Sequence, residues 1–159
     1  MENDPWPPHG IYPLGVVNGA YANTYGVELS QNYSVSEYWR LYAQYTYLQV
    51  SMYNNYSNIR EGTDPHNQVY LRSSWDLRHD LEFDLIGRYV DNLPGLAVPT
   101  YITMDLRLAW RPRKHLEMAV VGQNLLQNQH LEYNPLASET GAAVTEVPRG
   151  VYGTITYQY

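Results

Sequence analysis

The most regular feature of the chain is an alternation of apolar and polar residues with period 2, which begins near Ala22 and continues to the C-terminus. Period 2 places successive side chains on opposite faces of a β-strand, whereas an amphipathic helix needs a period of 3.6. Clusters of turn-forming residues divide the alternation into segments, and each segment predicts a strand. The seven predicted strands are 24–33, 38–52, 68–77, 81–90, 100–111, 116–124 and 151–159.

The links between these strands alternate between short and long. Short links are predicted at 34–37, 78–80 and RPRKH, residues 111–115, and long ones lie between the hairpins so formed. Such an order is typical of an antiparallel meander with all its short turns at one end. We therefore predict an all-β, antiparallel, up-and-down sheet.

The two faces of each strand call for different surroundings. In 100–111, for example, Ile102 and Met104 share one face, while Asp105 and Arg107 share the other. Burying such charges in a dry core costs several kcal/mol each, so the polar face should meet water. The apolar face spans about ten residues, which is what a tilted strand needs to cross a bilayer. A two-layer soluble sandwich shows the same alternation, so the pattern alone leaves both architectures open.

Three details favour the membrane. The predicted strands exceed the globular average of about 5–6 residues, long and short links strictly alternate, and Tyr and Trp recur near strand ends, as in an interfacial aromatic girdle. Composition agrees, because the chain has 17 Tyr and 4 Trp against 1 Phe. Its 16% of charged residues lies below the roughly 25% of an average soluble domain.

Size and charge exclude several other classes. The 159 residues suit one domain. A net charge of −6 gives no basic field for nucleic acid. The absence of Cys excludes disulfides and Cys-ligated zinc. The uncharged stretch 41–59 carries Gln, Thr, Ser and Asn throughout, so it does not predict a transmembrane helix, and the N-terminus does not resemble a signal peptide.

Several sequence runs, in their order, resemble the C-terminal end of TonB-dependent outer-membrane receptors. The most specific are GQNLL at 122–126, before the last long loop, and the final strand with apolar residues at alternate positions. The resemblance extends over about 18–159. Its other runs are TYGVELS (24–30), WRLYAQYTYL (39–48), QVYLRSSWDL (68–77), GRYVDNLP (87–94) and VPTYITMDLRLAWRP (98–112).

The resemblance implies a transmembrane β-barrel segment, about seven strands of a barrel of about 22, in the outer membrane of a Gram-negative cell. It implies uptake of an iron-siderophore or another scarce nutrient. Outer-membrane lipid, the barrel-assembly machinery and, for a full-length receptor, the TonB energy-coupling protein are the implied partners. The assembly signal would be Ile155, Tyr157 and Tyr159.

No run resembles a plug domain or a TonB-binding segment, so we expect a fragment of a larger receptor. We expect residues 1–20 to form an irregular start and 21–159 to form barrel strands and loops. The loop 53–66 is rich in Asn and Tyr, and the loop 126–148 mixes Asn, Tyr, Glu and His. We expect both to contact an external ligand that no motif identifies.

We predict no enzymatic activity and no cofactor. The five His lie in predicted turns or loops, without the i, i+2 spacing of a metal site on a strand, and the strand serines lack a GxSxG elbow. Solvated turn and lumen charges explain the acidic set near 78–80 better than a glycosidase-like carboxylate pair does. Asp105 and Arg107 share the inward face of one strand, and Asp84 and Arg88 that of another, so we expect them to form charge ladders with neighbouring strands. The histidines are His9, His66, His79, His115 and His130, the serines Ser30, Ser73 and Ser74, and the acids Asp76, Asp80, Glu82 and Asp84.

Two other hypotheses remain open from the sequence. A self-contained outer-membrane barrel of about eight strands, with a structural or adhesive role, would need an extra strand from 9–20, against which Pro13 and the nearby glycines argue. A soluble, carbohydrate-binding β-sandwich would be expected to cluster its aromatic residues on one exposed face, whereas here every strand carries some.

Overall fold

A computed structural model describes residues 18–54, 61–134 and 144–159. Residues 1–17, and the parts of the two predicted ligand loops at 55–60 and 135–143, lie outside this range. Among the described residues, no helix is long and apolar enough to cross a membrane. The strands are β1 (Ala20–Ser36), β2 (Trp39–Asn54), β3 (Asn67–Arg78), β4 (Leu81–Val90), β5 (Tyr101–Arg113), β6 (Leu116–Gln123), β7 (Gln129–His130), β8 (Val147–Pro148) and β9 (Gly150–Tyr157).

Seven of these strands form one antiparallel sheet in the order β1-β2-β3-β4-β5-β6-β9. The predicted all-β, up-and-down arrangement is thus confirmed. β7 and β8 pair with each other as a separate two-stranded ribbon within the last long loop. Each step across the main sheet reverses direction, so the two edge strands, β1 and β9, run the same way.

The three short turns share one construction. Each hairpin, β1–β2, β3–β4 and β5–β6, shifts register beside its turn, as a β-bulge does. In the third hairpin the shift lies between Trp110 and Arg113. Pro112 lies within this shift, where a residue without a backbone N–H costs no ladder bond. The strand therefore continues to Arg113, and the turn predicted at 111–115 is shorter than expected.

The ends of the sheet differ from the prediction in two other places. β1 begins at Ala20 and runs for 17 residues, because β2 offers partners along its whole length up to Asn54. β9 ends at Tyr157 rather than at Tyr159, because Tyr157 lies opposite Leu116, the first residue of β6. The Gln158 N–H still donates a hydrogen bond to the His115 carbonyl at 3.0 Å. This is an ordinary distance for a backbone hydrogen bond.

The register continues each face from strand to strand. One row of partners on what we call the apolar face is Leu29, Tyr45, Val69, Tyr89 and Ile102. A row on the opposite, polar face is Asn32, Tyr42, Arg72, Ile86 and Asp105. Large apolar side chains lie exposed on the apolar face over the width of the sheet, including Leu29, Leu71, Ile102, Val120 and Ile155.

The buried hydrophobic cluster lies outside the sheet, at the end with the long links. Leu93, Leu96 and Val98 form it around the short helix Pro94–Leu96, and Leu131 packs against it. The neighbouring loop approaches closely, because the Gly95 N–H donates to the Gly62 carbonyl at 2.8 Å. A Cβ at residue 95 would lie 2.2 Å from the Glu61 carbonyl oxygen, so this approach requires glycine.

Candidate functional site

Asp84 is the centre of a charged network on the polar face, and its residue is only 1% exposed. Ser74 and Arg107 lie directly opposite it on β3 and β5. The Ser74 hydroxyl donates to Asp84 Oδ1 at 2.5 Å. Arg72 donates to the same oxygen through Nε and Nη2 at 3.1 and 3.0 Å, and Arg107 donates to Oδ2 at 3.3 Å. The buried carboxylate is thus fully partnered by donors from its neighbouring strands.

The network extends toward the short turns. Arg107 also donates to Glu117 at 2.6 Å, and Arg111 reaches both Glu117 and Glu82 at 2.8 Å. We call Asp84 together with these hydrogen-bonded partners the Asp84 network. Its charges alternate in sign across β3, β4, β5 and β6, so each offsets the desolvation of its neighbours.

The predicted charge ladders form across neighbouring strands. Asp84 is paired with Arg107, and Asp105 with Arg88 at 2.6 Å. The acidic residues near the turn at 78–80, predicted as solvated turn and lumen charges, are each paired with an arginine, and Asp84 is buried rather than solvated. Asp76 pairs with Arg40, Asp80 with Arg78, Glu82 with Arg111, and Asp84 with Arg72.

Two carboxylates outside the strands are held ionised by local donors. Arg78 and then the Trp110 indole N–H lower the pKa of Asp80 in the turn between β3 and β4. The Asn67 side chain and the Asn92 N–H lower the pKa of Asp91 just after β4. A lowered pKa contributes stability that is present above the ordinary pKa and is lost as the pH falls through the lowered value. Both carboxylates should therefore stay ionised and keep these hydrogen bonds at neutral pH.

A second polar region lies at the other end of the polar face. There the β7–β8 ribbon and the ends of β4, β5 and β6 together line an open pocket of about 270 Å³. Arg88, Asp105 and Gln123 line it from the sheet, and His130 and Val147 line it from the ribbon. We call it the ribbon pocket.

Asn124 fixes the ribbon above this pocket. Its backbone lies in the left-handed region, at φ 51°, which Asn tolerates better than most residues. In this conformation its N–H donates to Asp105 Oδ1 at 2.9 Å, and its Nδ2 donates to the Val147 carbonyl at 3.0 Å. One residue therefore connects β5, the end of β6 and β8.

Three buried polar atoms of the described residues have no hydrogen-bond partner, and all three belong to side chains that line the ribbon pocket. They are Thr103 Oγ1, Asn124 Oδ1 and His130 Nδ1. Their residues are 5%, 3% and 7% exposed. Buried polar atoms are nearly always paired, so these three are exceptions, and each exposes less than 1 Å².

The sequence did not identify this pocket. Asn124 lies within the GQNLL run and His130 in the last long loop, but Thr103 was one polar residue among many in a strand. Only the ribbon brings His130 to β5, where its ring lies against Tyr101 with centroids 4.6 Å apart and planes tilted by 31°. Elsewhere too, the described ranges contain no group of three His, Cys, Asp or Glu able to hold a metal ion.

The predicted assembly residues lie at the β9 edge of the sheet. Ile155 and Tyr157 point to the apolar face, and they are 72% and 67% exposed. Tyr159 lies beyond the end of the strand. Their role in assembly stays a prediction.

The comparisons with known proteins agree with this geometry. The family described as "TonB dependent receptor-like, beta-barrel" matches residues 3–125. No curated protein sequence matches the chain. Among solved structures, the siderophore receptor PiuA from Acinetobacter baumannii has a TM-score of 0.67 at 18% identity, over 87% of this chain and 22% of its own.

Two further structures are similar. The copper transporter OprC has a TM-score of 0.68 at 14% identity, over 87% of this chain and 24% of its own. The ferripyoverdine receptor of the outer membrane of Pseudomonas aeruginosa was solved with ferripyoverdine bound. It has a TM-score of 0.64 at 16% identity, over 86% of this chain and 19% of its own. The chain thus spans about a fifth to a quarter of the solved structures that it matches. On the extent of the family match, this chain belongs to the TonB-dependent receptor-like β-barrel family.

Proposed function

We propose that this chain forms the C-terminal part of the barrel wall of a TonB-dependent outer-membrane receptor that imports an iron-siderophore or another scarce nutrient. The two-faced sheet is the observation that carries the proposal. Its exposed apolar face suits outer-membrane lipid, and its charged face suits a water-filled interior. A soluble sandwich would bury one face of the sheet under a second sheet, and the described residues form one main sheet only.

The edges of the sheet support a larger barrel. β1 and β9 run the same way, so joining them would give a parallel pair, whereas bacterial outer-membrane barrels are antiparallel throughout. β1 is also a 17-residue edge with unpaired backbone groups, which would cost several kcal/mol each in hydrocarbon. Further strands of a longer protein would pair both edges, as a barrel of about 22 strands requires. The self-contained small barrel lacks this support.

The nature of the cargo rests on weaker support than the barrel. Two of the similar structures are receptors for siderophores and one is a copper transporter, so the shared fold does not decide between cargoes. In the proposed receptor, TonB supplies energy through segments outside this chain, and the barrel-assembly machinery reads Ile155, Tyr157 and Tyr159.

The first test is the size and location of the native product. Cells are fractionated and probed with an antibody against residues 126–148. We expect an outer-membrane band more than roughly threefold larger than this chain, from the ratio of 22 strands to seven. A band only at 18.4 kDa would contradict the larger receptor.

The second test is import. A deletion strain and a strain lacking TonB are compared with the parent for uptake of iron-loaded siderophores and of other scarce nutrients under limitation. We expect both mutants to lose uptake of the same compound. Loss in the TonB strain alone would assign that uptake to another receptor, and normal uptake of every compound in the deletion strain would overturn the proposed function.

A further inference from the structure

We propose that the turn between β5 and β6 binds the headgroup phosphate of an anionic phospholipid in the inner leaflet of the outer membrane. Arg113 and Lys114, which we call the basic turn, carry this proposal. It rests on the proposed function in one respect, the placement of the apolar face in outer-membrane lipid with the short turns toward the periplasm. It does not depend on the cargo or on import.

The basic turn differs from the other described cations because its charges have no acidic partner. Six described arginines form ion pairs with Asp or Glu, and Arg149 donates to the Gln127 carbonyl at 3.3 Å. Within the described residues, Arg113 and Lys114 form no ion pair, and both are exposed. A chain of net charge −6 thus has a local surplus of positive charge at one turn. The six paired arginines are Arg40, Arg72, Arg78, Arg88, Arg107 and Arg111.

A β-bulge places Arg113 on the apolar face. Strict alternation from Trp110 would put Arg113 on the polar face. The register shift between these two residues adds one residue to β5, so Arg113 lies opposite Leu116. Opposite residues of an antiparallel pair project to the same face, and Leu116 in turn lies opposite Tyr157 of the apolar face. Arg113 is therefore a cation on the side of the sheet that meets lipid.

The surroundings of the basic turn are those of the lipid headgroup region. The turn is one of the three short ones, and short turns of outer-membrane barrels lie on the periplasmic side. Trp110 and Tyr157 are exposed on the apolar face at the same end of the sheet, and such rings favour the boundary between hydrocarbon and headgroups. The aliphatic part of Arg113 can lie along the apolar face while its guanidinium reaches the headgroups.

The charges at this end of the sheet select an anion, and the neighbouring lipid supplies one. A guanidinium binds two phosphate oxygens with parallel N–H groups, and the ammonium of Lys114 adds a second positive charge. The nearby Asp80 already accepts from Arg78 and from the Trp110 indole, so it does not neutralise the basic turn. Phospholipids form the inner leaflet of an outer membrane, and phosphatidylglycerol and cardiolipin are its anionic members.

The test is lipid binding by the native protein, purified from outer membranes in detergent. Native mass spectrometry measures the affinity of the most tightly bound lipid during titration. The probes are phosphatidylglycerol and phosphatidylcholine with the same acyl chains, which differ in net charge. We expect phosphatidylglycerol to bind at least tenfold more tightly. Glycerol 3-phosphate, a headgroup without acyl chains, should compete poorly because burial of the chains contributes to lipid binding.

Two variants connect this preference to the basic turn. Arg113→Gln and Lys114→Gln each remove one charge from an exposed side chain, so neither should impair folding. Each should weaken phosphatidylglycerol binding about fivefold, the contribution of one cation near an anionic lipid surface, and leave phosphatidylcholine binding unchanged. Arg149→Gln is the matched control. It removes an exposed cation at the opposite end of the sheet and should leave both affinities unchanged.

Three results would overturn the proposal: equal affinities for the two lipids, a preference that both variants leave unchanged, or equally tight binding of glycerol 3-phosphate, which would indicate a site for soluble anions. The import assay fails separately. Import without a charge preference would contradict the basic turn alone. A preference that both variants reduce, together with normal uptake of every compound in the deletion strain, would contradict the proposed import alone.

Discussion

The Asp84 network and the ribbon pocket lie on the same face of the same sheet, yet they treat polar groups in opposite ways. In the network, a carboxylate that is 1% exposed accepts from Ser74, Arg72 and Arg107. At the pocket, three side-chain atoms of similarly buried residues neither accept nor donate a hydrogen bond. Polar groups that satisfy each other offset the cost of their own burial, whereas unpartnered ones leave that cost in the fold.

The difference has a geometric origin. Ser74, Asp84 and Arg107 come from the directly paired strands β3, β4 and β5, so the register alone places them together. The ribbon pocket needs a loop to fold back over the sheet. Loops that cover a rigid sheet can leave room between the two layers, and such room is where binding sites commonly lie.

The largest expected effect comes from removing the centre of the network. Asp84→Ala leaves Arg72 and Arg107 without their shared partner and should lower the free energy of unfolding by about 3 kcal/mol. Glu28→Ala, which removes an exposed acid on the same face, is the control and should cost less than about 1 kcal/mol. Urea unfolding of the native protein in lipid vesicles measures both. Equal effects would show that the Asp84 network is not structural.

A smaller effect is expected where the ribbon is attached. Asn124→Ala loses the hydrogen bond to Val147 and places Ala in the left-handed region, so it should cost about 1–2 kcal/mol. Asn124→Gly loses the same bond without the backbone strain and should cost less. The same urea series compares the two. A larger cost for Gly would mean that the backbone conformation is not what favours Asn here.

Removing a hydroxyl should change stability in opposite directions at the pocket and in the Asp84 network. Thr103→Val removes a buried hydroxyl that has no partner, so it should leave stability unchanged or raise it by up to about 1 kcal/mol. The Ser74→Ala exchange in the network, which removes a partnered hydroxyl, should instead destabilise by about that amount. Thermal unfolding in detergent distinguishes the two. A loss of stability on Thr103→Val would mean that the hydroxyl is already paired.

The smallest effect is expected for the exposed part of the polar face. Arg40 and Asp76 form a bidentate pair, but their side chains are 47% and 34% exposed. A double-mutant cycle of Arg40→Ala and Asp76→Ala should give a coupling of about 0.5 kcal/mol, and molar salt should reduce it. A coupling as large as the effect of Asp84→Ala would contradict the importance of burial.

The strands and the faces were accessible from the sequence because period 2 is a local property. In β5, Ile102, Met104 and Leu106 alternate with Thr103, Asp105 and Arg107, and the structure places the two sets on opposite faces. Where that local signal was weak, the prediction was less accurate. Pro112 marks an apparent turn, but a bulge keeps it within the strand, and β1 extends beyond its predicted start because β2 pairs with it.

The sequence by itself determined the all-β class, the order of the strands, the alternation of short and long links and the existence of two unlike faces. Each of these follows from residues close together in the chain. Only the tertiary structure decided that Asp84 pairs with Arg107 and Asp105 with Arg88, and that Thr103, Asn124 and His130 meet in one pocket. The physical reason is that these contacts depend on register and on the path of a loop, which join residues distant in the chain and leave no local pattern.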